Sequence, residues 1–143
     1  MGGVGGGGGE MGGMLPVDEE DGVSYQPIPQ PVPGIKDAVV CVACASANTF
    51  AVTAQGTLLS WGSAAYGVLG LDEDSVASLP LDSTGNLHQP TPRALVAALR
   101  HVRVLGVAAG DEHAACWGEG GEVFTWGSGT SVCPQLFALN CLP

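Results

Sequence analysis

The chain has 143 residues, and its formal net charge is −10 because only four lysines and arginines face fourteen aspartates and glutamates. Nucleic acids and anionic membrane surfaces are bound mainly through Lys and Arg, so this balance argues against both as partners. The first residues carry neither the basic start nor the apolar core of a signal peptide, and no apolar run approaches the ~18 residues of a membrane span. We therefore expect an intracellular protein, in the cytoplasm or the nucleus.

Residues 1–34 are predicted to form a disordered tail. Nine of the first thirteen residues are glycine, an acidic cluster follows, and proline then stands at every second position from 27 to 33. A stretch with so few large apolar side chains cannot bury enough surface to offset the entropy lost on ordering. The alternating prolines indicate an extended linker. A docking site for proline-reading domains is less favoured, because no two prolines stand three residues apart.

From Ile35 onward, short β-type runs alternate with glycines. Strands are predicted at 38–45, 49–53 and 57–61. The link Ala54-Gln55-Gly56 between the last two predicts a hairpin that is closed by a left-handed residue, and Glu119-Gly120-Gly121 predicts a second one.

Side-chain alternation within the predicted strands divides large from small residues. Leu59 and Trp61 share one face, as do Phe124 and Trp126. We expect this bulky face to be buried in both strands, and the opposite face, with its Ser or Thr, to be less so.

Residues 71–92 are acidic and rich in turn-forming residues, which predicts a surface loop. Because loops carry many binding sites, its central part, residues 72–89, is a candidate partner-binding loop. The candidate contact residues are Asp72, Glu73, Asp74, Asp82 and His88. Residues 93–104 are interpreted as irregular structure or a short turn.

Two segments, 42–63 and 107–128, match each other without a gap at an offset of 65 residues. Six positions are identical, among them the triplets Trp61-Gly62-Ser63 and Trp126-Gly127-Ser128. An internal repeat predicts that each unit buries its apolar face against the next one. The chain holds about one and a half such units.

These residues resemble the repeat of the regulator of chromosome condensation family of β-propellers, over about residues 36–129. Trp61-Gly62 followed by Gly67-Val68-Leu69-Gly70 looks like the family's Trp-Gly, spacer, Gly-x-Leu-Gly signature, and Gly110 with His113 looks like its Gly-x-x-His. The resemblance implies structural roles for Gly56, Trp61, Gly62, Gly67, Leu69, Gly70, Gly110, His113, Gly121, Trp126 and Gly127.

The fold implied by the resemblance is all-β. It is a partial β-propeller over residues 35–129, with one four-stranded antiparallel blade and part of a second, where complete members have roughly seven blades. Residues 45–48 of the first unit lack both the Gly and the His of Gly-x-x-His. Residues 130–143 depart from the pattern and are interpreted as a divergent C-terminal tail, which suggests a truncated sequence.

The sequence predicts no catalytic, cofactor-binding or metal-ligating residue. Cys41 and Cys44 form a Cys-x-x-Cys pair, but a structural zinc site needs four ligands and the chain has no second closely spaced pair. Three residues apart on a strand, the two thiols should point to opposite faces, and we interpret them as buried structural thiols. His113 is expected to order a turn through hydrogen bonds, as the family resemblance suggests, rather than to act as a general base.

These observations favour a non-enzymatic protein-interaction repeat module that is a fragment of a larger propeller protein. The alternative implied by the resemblance is a guanine nucleotide exchange factor for a Ran-like small GTPase. A third possibility is a segment of a ubiquitin ligase that carries such repeats. An incomplete propeller leaves strand edges and bulky faces without neighbours, which predicts self-association through open blade edges.

Overall fold

A computed structural model describes residues 24–95 and 99–129, together with Pro16, Glu20 and Gly22. The described part is mostly β and contains two antiparallel sheets, a four-stranded and a three-stranded one, as the resemblance implied. The first sheet consists, in spatial order, of β1 (Val39–Cys44), β2 (Asn48–Thr53), β3 (Leu58–Ser63) and β4 (His88–Ala94). The second consists of β5 (Val104–Ala109), β6 (His113–Gly118) and β7 (Val123–Gly127).

The N-terminal region forms a unit of its own, residues 1–31. Within it, the Tyr25 amide donates a hydrogen bond to the Pro16 carbonyl oxygen at 2.8 Å. Residues 25–34 contain neither helix nor strand, and their side chains are exposed. Of the tail predicted to be disordered, residues 1–34, residues 1–15, 17–19, 21 and 23 lie outside the described ranges, as does the divergent tail predicted for 130–143. Among the described residues, no helix is long and apolar enough to cross a membrane.

The 65-residue repeat extends to the strand register. The first strand pair of each sheet, β1–β2 or β5–β6, has the same irregularity, with one extra residue between the first two paired positions. This bulge residue is Val40 in β1 and Leu105 in β5, 65 positions later. The second pairs also agree, since Asn48 faces Gly62 and His113 faces Gly127. The two segments therefore form the same structural unit twice, although only six of their 22 positions are identical.

The predicted left-handed hairpin residues are confirmed. Gly56 has a φ of +83° and Gly121 a φ of +85°, a region that costs a residue with a Cβ atom about 1–2 kcal/mol. Each glycine amide donates to the last residue of the preceding strand, Thr53 or Gly118, at 2.9 and 3.1 Å.

The glycine that follows each repeat tryptophan is required by a close backbone crossing. Gly62 and Gly127 have φ values of +114° and +126°. A Cβ atom on Gly62 would overlap the carbonyl oxygen of Ala47, and one on Gly127 would overlap that of Glu112. The loop that enters β2 or β6 thus passes directly over this glycine, which explains the Trp-Gly pair in physical terms.

The hydrophobic core lies between the two sheets. The first sheet contributes Phe50, Val52 and Leu58, and the second contributes Val107 and Cys116, all of them buried. The burial expected for β3 was wrong, because Leu58 and Ser60 are buried while Leu59 and Trp61 are only partly so. In β7 the expected face is the more buried one, with Phe124 and Trp126 packed against the core.

The segment between β3 and β4 is more ordered than a plain loop. It contains a short 3-10 turn at Ala65–Gly67 and the helix α1 (Glu73–Ala77). Strand β4 begins at His88, so this residue is half-buried in a strand rather than displayed on a loop, and residues 93 and 94 belong to the strand as well. Pro90 and Pro92 are tolerated there because β4 is the edge strand of its sheet.

Candidate functional site

The Gly-x-Leu-Gly segment forms the joint between the two sheets. Val68 and Leu69 are buried, and the Trp126 indole Nε1 donates a hydrogen bond to the Val68 carbonyl oxygen at 2.8 Å. The hydroxyl of Ser60 donates to the Leu69 carbonyl oxygen at 2.8 Å, which fixes the segment on its own sheet. A Cβ atom on Gly70 would lie 3.1 Å from the Trp126 Nε1 atom. The tryptophan of one repeat therefore holds the signature segment of the preceding repeat.

A second joint connects the first hairpin turn to the start of β5. The Arg103 guanidinium donates to the carbonyl oxygens of Ala54 and Gln55 at 2.8 and 3.4 Å, and the Val104 amide donates to that of Gly56 at 3.0 Å. Sequence reasoning missed Arg103 because its counterpart 65 positions earlier is Ala38, so the repeat gave no signal.

The Gly-x-x-His turn is closed by the backbone. The Gly110 amide donates to the His113 carbonyl oxygen at 2.8 Å, and the Ala45 amide makes the equivalent bond to Asn48. The His113 ring lies against Gly110, where a Cβ atom would come within 2.8 Å of the ring, and its Nδ1 is buried without a hydrogen-bond partner among the described residues. The hydrogen bond that closes this turn is thus accepted by the His113 backbone carbonyl oxygen, while the His113 ring packs against Gly110. In the first repeat, Asn48 Nδ2 donates to the Ser63 carbonyl oxygen at 2.5 Å.

A cleft of about 230 Å³ opens where the loops of the two repeats meet. Loop 45–47 of the first repeat borders it on one side, and loop 110–112 of the second borders it on the other. Its lining consists of Ser46, Ala47, Asn48, Ser63, Ala65, Tyr66, Val68, Asp111 and Glu112. Two carboxylates and an aromatic ring are therefore present in this lining without any Lys or Arg.

Tyr66 has the least common backbone conformation in this cleft. Its φ of +58° makes it the one described non-glycine residue in the left-handed region, and its side chain is exposed. Such strain persists only where the surrounding structure holds it, and it concentrates at binding sites.

Two carboxylates of the loop predicted to bind a partner accept hydrogen bonds from within the loop itself. Asp72 caps α1 and accepts from the Ser75 amide and hydroxyl at 2.8 and 2.9 Å, which lowers the pKa of its carboxyl group. Asp82 accepts from the Thr84 hydroxyl and from the amides of Thr84 and Asn86, which lowers its pKa likewise. The exposed carboxylates that remain on this loop are Glu73 and Asp74 in α1.

The three cysteines among the described residues occupy different environments. Cys41 and Cys44 point to opposite faces of β1, as predicted, with Cys41 Sγ 3.9 Å from the Val107 carbonyl oxygen. The expectation of buried thiols was wrong for Cys44, which is exposed at the end of the strand on the face away from the second sheet. Cys116 is buried in the core, and burial, with the Glu122 carboxylate nearby, raises the pKa of its thiol to about 11.

Two repeated antiparallel sheets, packed face to face and joined by a tryptophan–loop contact, define part of a β-propeller. Residues 55–117 match the regulator of chromosome condensation (RCC1) repeat family, from the first hairpin turn to β6. Residues 55–117 thus contain an RCC1 repeat, and the two sheets match part of an RCC1 propeller.

The chain spans about a quarter or less of the length of the following known proteins that it matches. Human E3 ubiquitin-protein ligase HERC2 is 34% identical over 93 residues, 64% of this chain and 2% of that protein. The crystal structure of Kap60 bound to yeast RCC1 (Prp20) is similar with a TM-score of 0.60 and 21% identity, over 80% of this chain and 25% of that one. The crystal structure of Prp20p from Saccharomyces cerevisiae is similar with a TM-score of 0.57 and 21% identity, over 80% of this chain and 26% of that one.

Proposed function

We propose that the chain is a non-enzymatic, intracellular protein-interaction module whose binding site is the cleft between loops 45–47 and 110–112. The observation that carries the proposal is the lining of this cleft, which combines Tyr66 with Asp111 and Glu112. A volume of about 230 Å³ is below the ~300–1,000 Å³ of typical small-molecule pockets. The cleft therefore suits one side chain of a protein partner.

Its chemistry favours a basic side chain. A carboxylate attracts a guanidinium or ammonium group, and the face of an aromatic ring stabilises the same cation. The chain's net charge of −10 also raises the local concentration of a basic partner. Yeast Prp20p, which shares the fold, has been examined for binding to Gsp1p and histones, and the other yeast complex contains Kap60. A protein partner of this chain is consistent with those likenesses.

A titration followed by amide NMR shifts tests this assignment. The probe is a pentapeptide with one arginine between glycines, and the control peptide has glutamine in place of the arginine. The arginine peptide should shift residues 46–48, 66 and 111, while the glutamine peptide should not. Asp111→Asn should weaken binding by about threefold, as expected for one partly solvated ion pair. Asp74→Asn, which removes an exposed carboxylate on α1, is the matched control and should have no effect.

Other results would contradict the proposal. Equal shifts with both peptides would show that the cleft does not recognise the positive charge. Shifts centred on residues 73 and 74 would show that the peptide binds the loop between β3 and β4 instead.

The rival proposal is guanine nucleotide exchange on a Ran-like small GTPase. It is supported by the family resemblance alone, since the similarity to the yeast structures at 21% identity concerns the fold. The described part offers two sheets, whereas such an exchange surface is expected to span several blades. A nucleotide-release assay decides between the proposals, because accelerated release that depends on Asp111 would favour exchange over simple binding.

A further inference from the structure

The two outer faces of this structure are unpaired halves of the interface that lies between its sheets. We call the side of the first sheet that points away from the second sheet the front face, and the far side of the second sheet the rear face. Paired strand positions place Val42, Leu59 and Trp61 on the front face, and Trp117 and Val123 on the rear face. Trp117 and Val123 are exposed on the rear face; on the front face Val42 is exposed, Leu59 and Trp61 are half-buried, and Ala51 is buried.

Repeat symmetry relates these faces to the internal interface. Adding 65 to the front-face positions 42, 59 and 61 gives Val107, Phe124 and Trp126, which are packed into the core. Subtracting 65 from the rear-face positions 117 and 123 gives Val52 and Leu58, also in the core. The internal interface is therefore a rear-type face packed on a front-type face, and the chain displays one unused copy of each.

The exposed fractions of the side chains differ between the outer faces and the internal interface. Val42 is 63% exposed whereas its counterpart Val107 is 5% exposed, and Trp117 is 43% exposed whereas Val52 is 0% exposed. These two positions thus change from core to surface, whereas Leu59 and Trp61 are partly buried like their counterparts Phe124 and Trp126. Large apolar surfaces of this kind in a soluble protein mark interaction sites.

The rear face has a large side chain against which a front face could pack. Where the inner face of the first sheet has Phe50 and Val52, the rear face has Ala115 and Trp117 at the same positions. One aromatic side chain is kept and moved by two residues along the strand. Trp117 lies over Gly106, where a Cβ atom would overlap its ring, so the rear face remains flat enough for a sheet to pack on it.

We propose that the front face of one copy binds the rear face of a second copy, head to tail, as the two sheets do within one chain. Such a heterologous contact repeats until a ring closes. This inference does not depend on the cleft and goes beyond self-association through strand edges.

Two single-face variants test it by complementation. Val42→Glu places a charge on the front face, Val123→Glu places one on the rear face, and both positions are exposed, so the sheets should fold. Leu81→Glu, at a position as exposed as Val42 but outside both faces, is the matched control. Sedimentation velocity over about 5–500 µM measures association, in the affinity range of a modest interface.

Head-to-tail pairing predicts a distinctive result. The wild type and Leu81→Glu should associate with increasing concentration, and each face variant alone should have its association midpoint raised at least tenfold. A mixture of the two face variants should form a 1:1 dimer, because one still has a rear face and the other a front face. Circular dichroism of each variant checks folding, and Val42→Ser with Val123→Ser replaces any variant that fails this check.

Three outcomes would overturn the proposal. One is a wild type that stays monomeric over the whole range. The second is a face variant that alone associates as the wild type does, which would indicate front-to-front, rear-to-rear or edge contacts. The third is a mixture that stays monomeric although the wild type associates.

Discussion

Replacing either hairpin glycine by alanine separates the local cost of a turn from the cost of disturbing the neighbouring sheet. Gly56 and Gly121 occupy the same repeat position with φ values of +83° and +85°, so alanine meets the same backbone penalty at both. Their surroundings differ. A Cβ atom on Gly56 would lie 2.5 Å from Arg103 Cγ, whereas one on Gly121 has nothing within 4 Å.

The expected magnitudes follow from these contacts. Gly121→Ala should lower the free energy of unfolding by about 1–2 kcal/mol, the cost of a left-handed residue with a side chain. Gly56→Ala should cost about 1–2 kcal/mol more, because Arg103 must move and the hydrogen bonds around the turn weaken, each being worth about 0.5–1.5 kcal/mol net. For a folded region of this size, the additional cost corresponds to a melting temperature lower by roughly 4–15 °C.

Thermal and urea unfolding followed by circular dichroism at a few micromolar protein measure both costs. The Arg103→Ala background supplies the control, since most of the additional cost of Gly56→Ala should disappear there, while the cost of Gly121→Ala should not change. Equal costs for the two glycine substitutions, or the same cost of Gly56→Ala with and without the arginine side chain, would refute this account of the joint.

Further predictions concern the tryptophans, the thiols and one turn carboxylate. Trp126→Phe should cost about 1–2 kcal/mol in urea unfolding because a buried carbonyl loses its donor, while Trp61→Phe, on the front face, should cost less than about 0.5 kcal/mol; equal losses would contradict the joint. Iodoacetamide at pH 8 with peptide mapping should modify Cys44 well before Cys116, whose pKa of about 11 keeps it protonated, and equal rates would contradict its burial. Because hydrogen bonds lower the pKa of Asp82, its turn is stabilised above the ordinary carboxyl pKa and loses this stabilisation as pH falls through the lowered value. The turn amide signals should therefore be constant above about pH 5 and move at acidic pH, a change that Asp82→Asn should abolish.

The sequence was sufficient for β1, β2, β3 and β7 and for the two hairpin turns, because the information there is local, whereas β4 and α1 fell in a predicted loop. Gly56 and Gly121 each end a three-residue link between β-type runs, and their left-handed conformation follows from the link alone. Alternation likewise divides Leu59 from Leu58 correctly. It does not say which face is covered, since this depends on the side where the neighbouring sheet lies. In the first sheet that side is opposite to the expected one.

The joints and the cleft were not predictable for a different reason. Arg103 contacts a turn almost 50 residues earlier, and Trp126 binds a carbonyl 58 residues earlier. Single-sequence patterns carry no signal for such distant partners when only one repeat shows the contact. The position of Asn48 could have been found from the repeat, because it stands where the second repeat has His113. Asn48 begins β2 and His113 begins β6, and each follows an equivalent backbone turn.

The cleft lies where the two repeats differ most in chemistry, which bears on where specificity resides. The loop residues Ser46 and Ala47 of the first repeat become Asp111 and Glu112 in the second, while the Trp-Gly pairs are unchanged. The glycine of each Trp-Gly pair is needed for the same close backbone crossing in both repeats, so it is kept. Loop residues that line the cleft are not constrained in this way, so each neighbouring pair of repeats can present a different combination of charges. In this chain the cleft is lined by Asp111 and Glu112 beside Tyr66, and this is why we propose a basic side chain as the group that it binds.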